Sequence, residues 1–319
     1  MSPGNSADLS VVIATPDRYD TIRKTISCLR KQTVRHQVEV IIVAPSAEDL
    51  RLEEADLTGF FCFHVVEVGA IRSIASANAA GIRKATAPIV ALGEDHAFPA
   101  RDWAEVLIEA HREDWAAVGP EVRNANPETA ISWADYFMGY GPWVAPAIAG
   151  QIEHLPGHNS SYKRDILLEY GAELETMLGA ETVLHWHLCS KGHRLYLEPK
   201  ARIAHCNFDR LRSWLSAVFY SARIFAATRS RSWSWRQRLF YTTGAPFMPI
   251  TRLSRIRKQV KRVKRYSEPY TIPPSLLPVL IVGLITSALG EMIGYALGAG
   301  NAGRKLCAYE FHRERHLKS

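Results

Sequence analysis

Ile89-Val90-Ala91-Leu92-Gly93-Glu94-Asp95-His96 is an apolar run that ends in two carboxylates and an imidazole. The β-branched and small residues after Pro88 read as a buried strand. In an extended segment side chains alternate, so Glu94 and His96 are expected on one side and Asp95 on the other. At roughly 7 Å along a strand end, a carboxylate oxygen and an imidazole nitrogen can converge on a divalent ion. Open α/β sheets bind their ligands beyond the carboxyl ends of the strands. This run supplies such an end.

The neighbouring sequence repeats the same alternation. Leu9–Thr15, Val38–Ala44 and Phe60–Val68 read as strands. Tyr19–Gln32, Ser73–Lys84 and Trp103–Asp114 have helical spacing. Strand and helix in turn imply βαβ units and a mainly parallel sheet flanked by helices, an α/β class of Rossmann-like type. From 130 onward the pattern loosens. Trp133–Gly141 is aromatic-rich, and Gly157-His158-Asn159-Ser160-Ser161 reads as a polar turn. Leu178–Ser190 is helical, and Arg194–Pro199 and Ala201–His205 resemble two short strands. Residues 1–208 form the expected catalytic body.

Charge separates that body from the rest. Residues 1–199 carry 17 Lys and Arg against 27 Asp and Glu, a net of −10; residues 200–319 carry 22 against 5, a net of +17. Such asymmetry points the second part at a polyanion, either nucleic acid or an anionic membrane. Five scattered cysteines without a Cys-x-x-Cys pair suggest reduced thiols rather than a disulfide framework or a zinc knuckle. No signal-peptide pattern opens the sequence, so a cytoplasmic setting is expected.

Residues 209–319 read as basic amphipathic helices, an apolar segment at about 273–300 and a basic tail. Arg210–Arg231 mixes Arg with Leu, Trp, Phe and Tyr, and Arg252–Arg265 holds eight Lys and Arg. Leu276–Ala299 would extend roughly 36 Å as a helix, enough for a bilayer core of about 30 Å. Glu291 interrupts it, and a central carboxylate is expensive there unless paired or protonated. A spanning helix, a re-entrant hairpin, a helix lying in the interface and the core helix of a soluble protein all remain open. Basic residues at both ends would suit two cytoplasmic ends. Gly283, Ser287, Gly290, Gly294 and Gly298 form a small-residue stripe, suited to a homo-oligomer or to packing within the chain. Trp214, Trp233 and Trp235 among arginines could stack on single-stranded nucleic acid. Beside an apolar segment, anionic headgroups are the better partner, and no nucleic acid is expected.

Taken together, residues 8–207 resemble a family 2 glycosyltransferase of the GT-A fold, and the tail resembles its membrane-associated bacterial members. The resemblance rests on Leu9–Pro16, Val38–Val43, Ala80-Gly81-Ile82 and Val90–Pro99. It continues through Gly157–Arg164, Gly179-Ala180-Glu181 and Gly192–His205, and into the tail at Gly290–Tyr295 and Phe311–His316. In place of the family's Asp-x-Asp metal motif stand Glu94 and His96, competent ligands for Mn²⁺ or Mg²⁺. The acidic pair expected after the second strand is replaced by Ala44-Pro45, and an Arg-Asn pair expected before Gly81 is absent.

The resemblance implies a metal-dependent inverting transferase at the cytoplasmic face of the membrane. It would move sugar from a nucleotide-diphosphate donor to a lipid-linked or membrane-proximal acceptor. Glu94, His96 and His205 would hold the metal. Thr15, Pro16, Asp17 and Asp95 would meet the donor nucleotide. Glu181 would be the base that deprotonates the acceptor. His158, Asn159, His185 and Trp186 would line the acceptor side, with His185 one helical turn beyond Glu181. Two other classes are carried beside this one. One is a non-catalytic nucleotide-sugar-binding protein of the same fold; the other is a sugar nucleotidyltransferase, which would release pyrophosphate.

Overall fold

A computed structural model describes residues 6–266 and 271–318. The chain divides into two compact units, residues 1–121 with 148–204, and residues 122–147 with 205–319. The second unit therefore takes in the aromatic segment at 133–141 as well as the residues beyond 208.

The first unit alternates as its sequence implies. β1 (Leu9–Ala14), α1 (Arg23–Arg30), β2 (Val38–Ala44), α2 (Ala47–Leu50), β3 (Cys62–Glu67), α3 (Ile74–Lys84) and β4 (Ile89–Gly93) follow one another. Then come β5 (Ala97–Pro99), α4 (Trp103–Ala110) and β6 (Ala117–Asn124), whose last three residues belong to the second unit. After α5 (Ala130–Tyr140) the chain returns with β7 (Gly150–Ile152), β8 (Ser161–Lys163), α6 (Arg164–Leu168), α7 (Leu174–Leu178), α8 (Glu181–Ser190) and β9 (Leu195–His205). The sheet order is β3-β2-β1-β4-β8-β6-β9-β5, with β7 beside β9. β3, β2, β1 and β4 are parallel neighbours, whereas β8 runs antiparallel to β4 and to β6.

β1 and β2 are buried at every residue and β4 at all but Gly93, as strands covered on both faces must be. The Ala-rich helix α3 packs tightly over them. A Cβ at Gly81 would fall 2.3 Å from Val12 Cγ1, so glycine there sets the distance between helix and sheet. The strand order reverses at β1, which lies between β2 and β4. The carboxyl ends of β1 and β4 thus lie at the switch point, beyond which ligands of such sheets bind.

The two short strands expected at 194–205 are one strand of 11 residues. Pro199-Lys200 breaks the apolar pattern in the sequence without breaking the extended backbone.

In the second unit follow α9 (Leu211–Arg229), α10 (Trp235–Gly244), α11 (Met248–Tyr266), α12 (Leu276–Leu297) and α13 (Ala302–Glu310). Among the described residues, α12 is the helix long and apolar enough to cross a membrane. Its small stripe is used within the chain. Cβ atoms at Gly290 and Gly294 would each fall 2.4 Å from a carbonyl oxygen of α9, those of Phe219 and Arg223, and Gly283 faces Trp214. Glu291, buried on the same side, pairs with Arg252 Nη2 at 2.5 Å, and Arg252 Nη1 donates to Ser287 Oγ at 2.9 Å. The carboxylate that interrupts the apolar run is thereby compensated.

Candidate active site

Register places the site. Ile13 lies beside Gly93, so Thr15-Pro16-Asp17 and Glu94-Asp95-His96 leave the carboxyl ends of adjacent parallel strands. β4 ends at Gly93 and the chain turns through Asp95 and His96 into β5. The alternation expected of an extended segment therefore stops one residue early, and Asp95 does not point away. Its Oδ1 is hydrogen-bonded to His96 Nδ1. A carboxylate on Nδ1 fixes the ring and directs Nε2 outward as a ligand. Glu94 Oε2 stands 3.9 Å from that Nε2.

These two donors fit a divalent ion. Two bonds of about 2.1 Å to one centre span at most about 4.2 Å, and the observed separation falls inside that limit. Glu94 is itself held. Its Oε2 accepts from Asn159 Nδ2 at 2.8 Å and its carbonyl from Thr25 Oγ1 at 2.8 Å. Asn159 sits at φ +73, in the left-handed region that asparagine tolerates better than most residues. Its N–H donates to Leu92 O at 2.6 Å, so the turn before β8 is tied to β4 and aims the amide at Glu94. The sequence offered no sign of the Thr25 contact, which joins positions 69 residues apart.

His205 ends β9, buried in the second unit against the Tyr140 ring. Its Nδ1 is 2.9 Å from Asn207 Oδ1. A carbonyl oxygen only accepts, so Nδ1 carries the proton and Nε2 the lone pair. Asn207 is locked in turn by Asn124 Oδ1 and Asn126 Oδ1. That network of asparagines was not foreseen.

Glu181 opens α8, with Oε1 3.1 Å from His158 Nε2. Gly157 is required beside it, since a Cβ there would lie 2.6 to 2.7 Å from three Glu181 side-chain carbons. Thr15 is buried and its hydroxyl donates to Arg18 O at 3.1 Å. Asp17 Oδ1 accepts from Arg18 N–H at 2.6 Å and Thr21 Oγ1 at 2.9 Å, shaping the loop after β1, where Pro16 is part-exposed. Trp186 is on the surface.

His185 is not where the resemblance put it. It is fully buried, accepting from Leu155 N–H through Nδ1 at 3.3 Å and meeting the Tyr162 hydroxyl through Nε2 at 2.9 Å. Burial pushes its pKa down to about 3, so the ring is neutral and serves the core. The i+4 spacing that aligned it with Glu181 cannot tell an inward face from an outward one.

The glycosyl transferase family 2 profile matches residues 10–171. Over 222 residues the chain is 26% identical to a pre-mycofactocin glycosyltransferase of Mycobacterium tuberculosis, covering 67% of this chain and 46% of that protein. The chain thus spans about half the length of that relative. It is 25% identical over 224 residues to a glucosyl-dolichyl phosphate glucuronosyltransferase of Haloferax volcanii, covering 63% of this chain and 70% of the other. Its fold is similar to that of a mannosyltransferase from Pyrobaculum calidifontis in complex with GDP-Man and Mn²⁺. The TM-score is 0.53 at 15% identity, over 91% of this chain and 90% of the other. The shared architecture is GT-A. The family match begins inside β1 and runs past β8, taking in both strand ends of the candidate site, and the chain belongs to glycosyl transferase family 2.

Proposed function

We propose that the chain is an inverting glycosyltransferase, moving a sugar from a nucleotide-diphosphate donor to an acceptor held at a membrane. The observation that carries this reading is the Glu94–His96 pair at the switch point, with Asp95 on the far nitrogen of His96. Glu94 Oε2 and His96 Nε2 would hold a divalent ion, Mn²⁺ or Mg²⁺, and His205 Nε2 is proposed as a third donor. Such an ion, when bound, neutralises the diphosphate as it leaves. Thr15, Pro16 and Asp17 shape the adjoining loop and are proposed to meet the nucleotide. The Glu181 carboxylate would accept the acceptor hydroxyl's proton as that oxygen attacks, and His158 holds the carboxylate in place. Asn159 is assigned to positioning Glu94 rather than to the acceptor, and Trp186 to the acceptor side. The relatives' sugar-transfer activities and the donor and Mn²⁺ seen in the structural neighbour support this reading.

The acceptor is proposed to be lipid-linked, at the cytoplasmic face. Trp235, Phe240, Phe247 and Ile250 are each at least 69% exposed, as few large apolar side chains of a soluble surface are. On α12, Leu277, Ile281, Ile285 and Leu289 form a second exposed row at every fourth residue. Arg252–Arg265 adds eight Lys and Arg, a charge that anionic headgroups attract. The other side of α12 is committed to α9 and Arg252, so the helix is proposed to meet lipid by one face. A relative acting on a dolichyl phosphate fits this placement.

Slow hydrolysis of a panel of nucleotide sugars, with and without Mn²⁺, tests the enzyme. Glu94→Ala should abolish metal-dependent turnover, and Glu181→Gln should lower kcat by about 10²–10⁴ while donor binding persists. Undiminished turnover in either variant would remove that residue from the mechanism.

A further inference from the structure

At the amino-terminal ends of the same parallel strands lies a buried carboxylate that sugar transfer does not use. Glu39, second in β2, is fully buried. Its Oε2 accepts from Ser10 Oγ and from Thr86 N–H, and its Oε1 from Thr86 Oγ1 at 3.0 Å. Cys62 and His64 stand two residues apart on β3, at the end of the sheet order, with Cys62 in register with Glu39. Two residues apart on a strand, they share a face.

Glu39 Oε1 is 3.4 Å from His64 Nε2 and 3.8 Å from Cys62 Sγ, and Cys62 Sγ is 3.9 Å from His64 Nε2. The carboxylate–imidazole distance exceeds the roughly 2.7–2.9 Å of a charge-assisted hydrogen bond. The three separations come closer to the edges of a tetrahedron. Metal–ligand bonds of about 2.0–2.3 Å set tetrahedral donors about 3.3–3.6 Å apart.

We propose that Glu39, Cys62 and His64 form a zinc site at the edge of the sheet, separate from the Glu94–His96 pair. A thiolate, an imidazole and a carboxylate suit Zn²⁺ and disfavour Mg²⁺ or Mn²⁺. Ser10 and Thr86 orient the carboxylate, and Ser10 Oγ is itself fixed by Ala87 N–H at 3.1 Å. Such outer partners are what a built metal site requires. On binding, the Cys62 thiol proton passes to solvent and His64 ligates through its Nε2 lone pair. One thiolate and one carboxylate then balance the two positive charges. Cys62 and His64 are partly exposed, which gives the ion a way in and leaves a fourth position for water. The bound ion would tie the edge strand to its neighbour through side chains as well as through the backbone ladder.

The test is a Co²⁺ titration of the full chain stripped of metal. A thiolate-to-cobalt charge-transfer band in the near ultraviolet is expected, lost in Cys62→Ser and retained in Glu94→Ala. Competition with a chromophoric chelator should show Zn²⁺ bound at least about tenfold more weakly by His64→Ala. No thiolate band in the unsubstituted chain, or a band that survives Cys62→Ser, would overturn the assignment. Either result would leave the reading of the Glu94 site untouched.

Discussion

His185 and His111 of the first unit are buried, and they make its stability depend on pH. Burial is the first cause in both cases, holding His185 down to about 3 and His111 to about 4. In the unfolded chain each titrates near 6.5, so between about pH 4 and pH 6.5 the unfolded state binds more protons. The stability they contribute is complete above that range and is lost as the medium is acidified. From pH 7 to pH 5 each should cost about 2 kcal/mol, measurable by denaturant titration at the two values. His185→Gln keeps an acceptor for Leu155 N–H and cannot charge, so it should remove about half of the slope. At this scale the sequence shows which side chains come together better than it shows what each one holds. Glu94, Asp95, His96 and Asn159 do gather at one strand end. That Asp95 serves His96, and that Asn159 serves Glu94, depends on where β4 stops and on one left-handed residue, neither of which periodicity records.

Among the elements, those buried on both faces were the easiest to read. β1, β2 and β4 are apolar runs broken only at Ser10 and Glu39, and each lies within a residue of where its sequence places it. β6 went unseen because Gly119, Pro120 and Glu121 interrupt it. β5, β7 and β8 are three residues each, too short to show a period. The aromatic segment at 133–141 proves to be the helix α5, its Trp133, Tyr136 and Phe137 buried. α12 was legible as an apolar helix, but what Glu291 does within it depends on Arg252, far away in sequence. Arg252→Ala should destabilise the second unit by about 3–5 kcal/mol, because a buried carboxylate is left without its partner. The double variant Arg252→Leu with Glu291→Leu should recover most of that loss. Thermal or chemical denaturation of the three proteins is the measurement.

For the whole molecule the charge division remains the plainest statement of use, a body of net −10 followed by 120 residues of net +17. If the cationic part meets lipid as proposed, the chain should float with vesicles containing anionic phospholipid and less so with neutral ones. Phe240→Ser with Phe247→Ser should weaken flotation while leaving turnover of a water-soluble acceptor analogue intact. Binding that ignores both lipid charge and these substitutions would count against a lipid-facing surface. The close approach of α12 to α9 bears on how the protein can be handled. Its greasy helix is no detachable tether. Excising residues 276–297 to obtain a detergent-free enzyme would uncover Trp214 and the glycine-matched carbonyls of Phe219 and Arg223. The shortened chain should aggregate through the wound, and trimming will solubilise it only if α9 is redesigned at the same time.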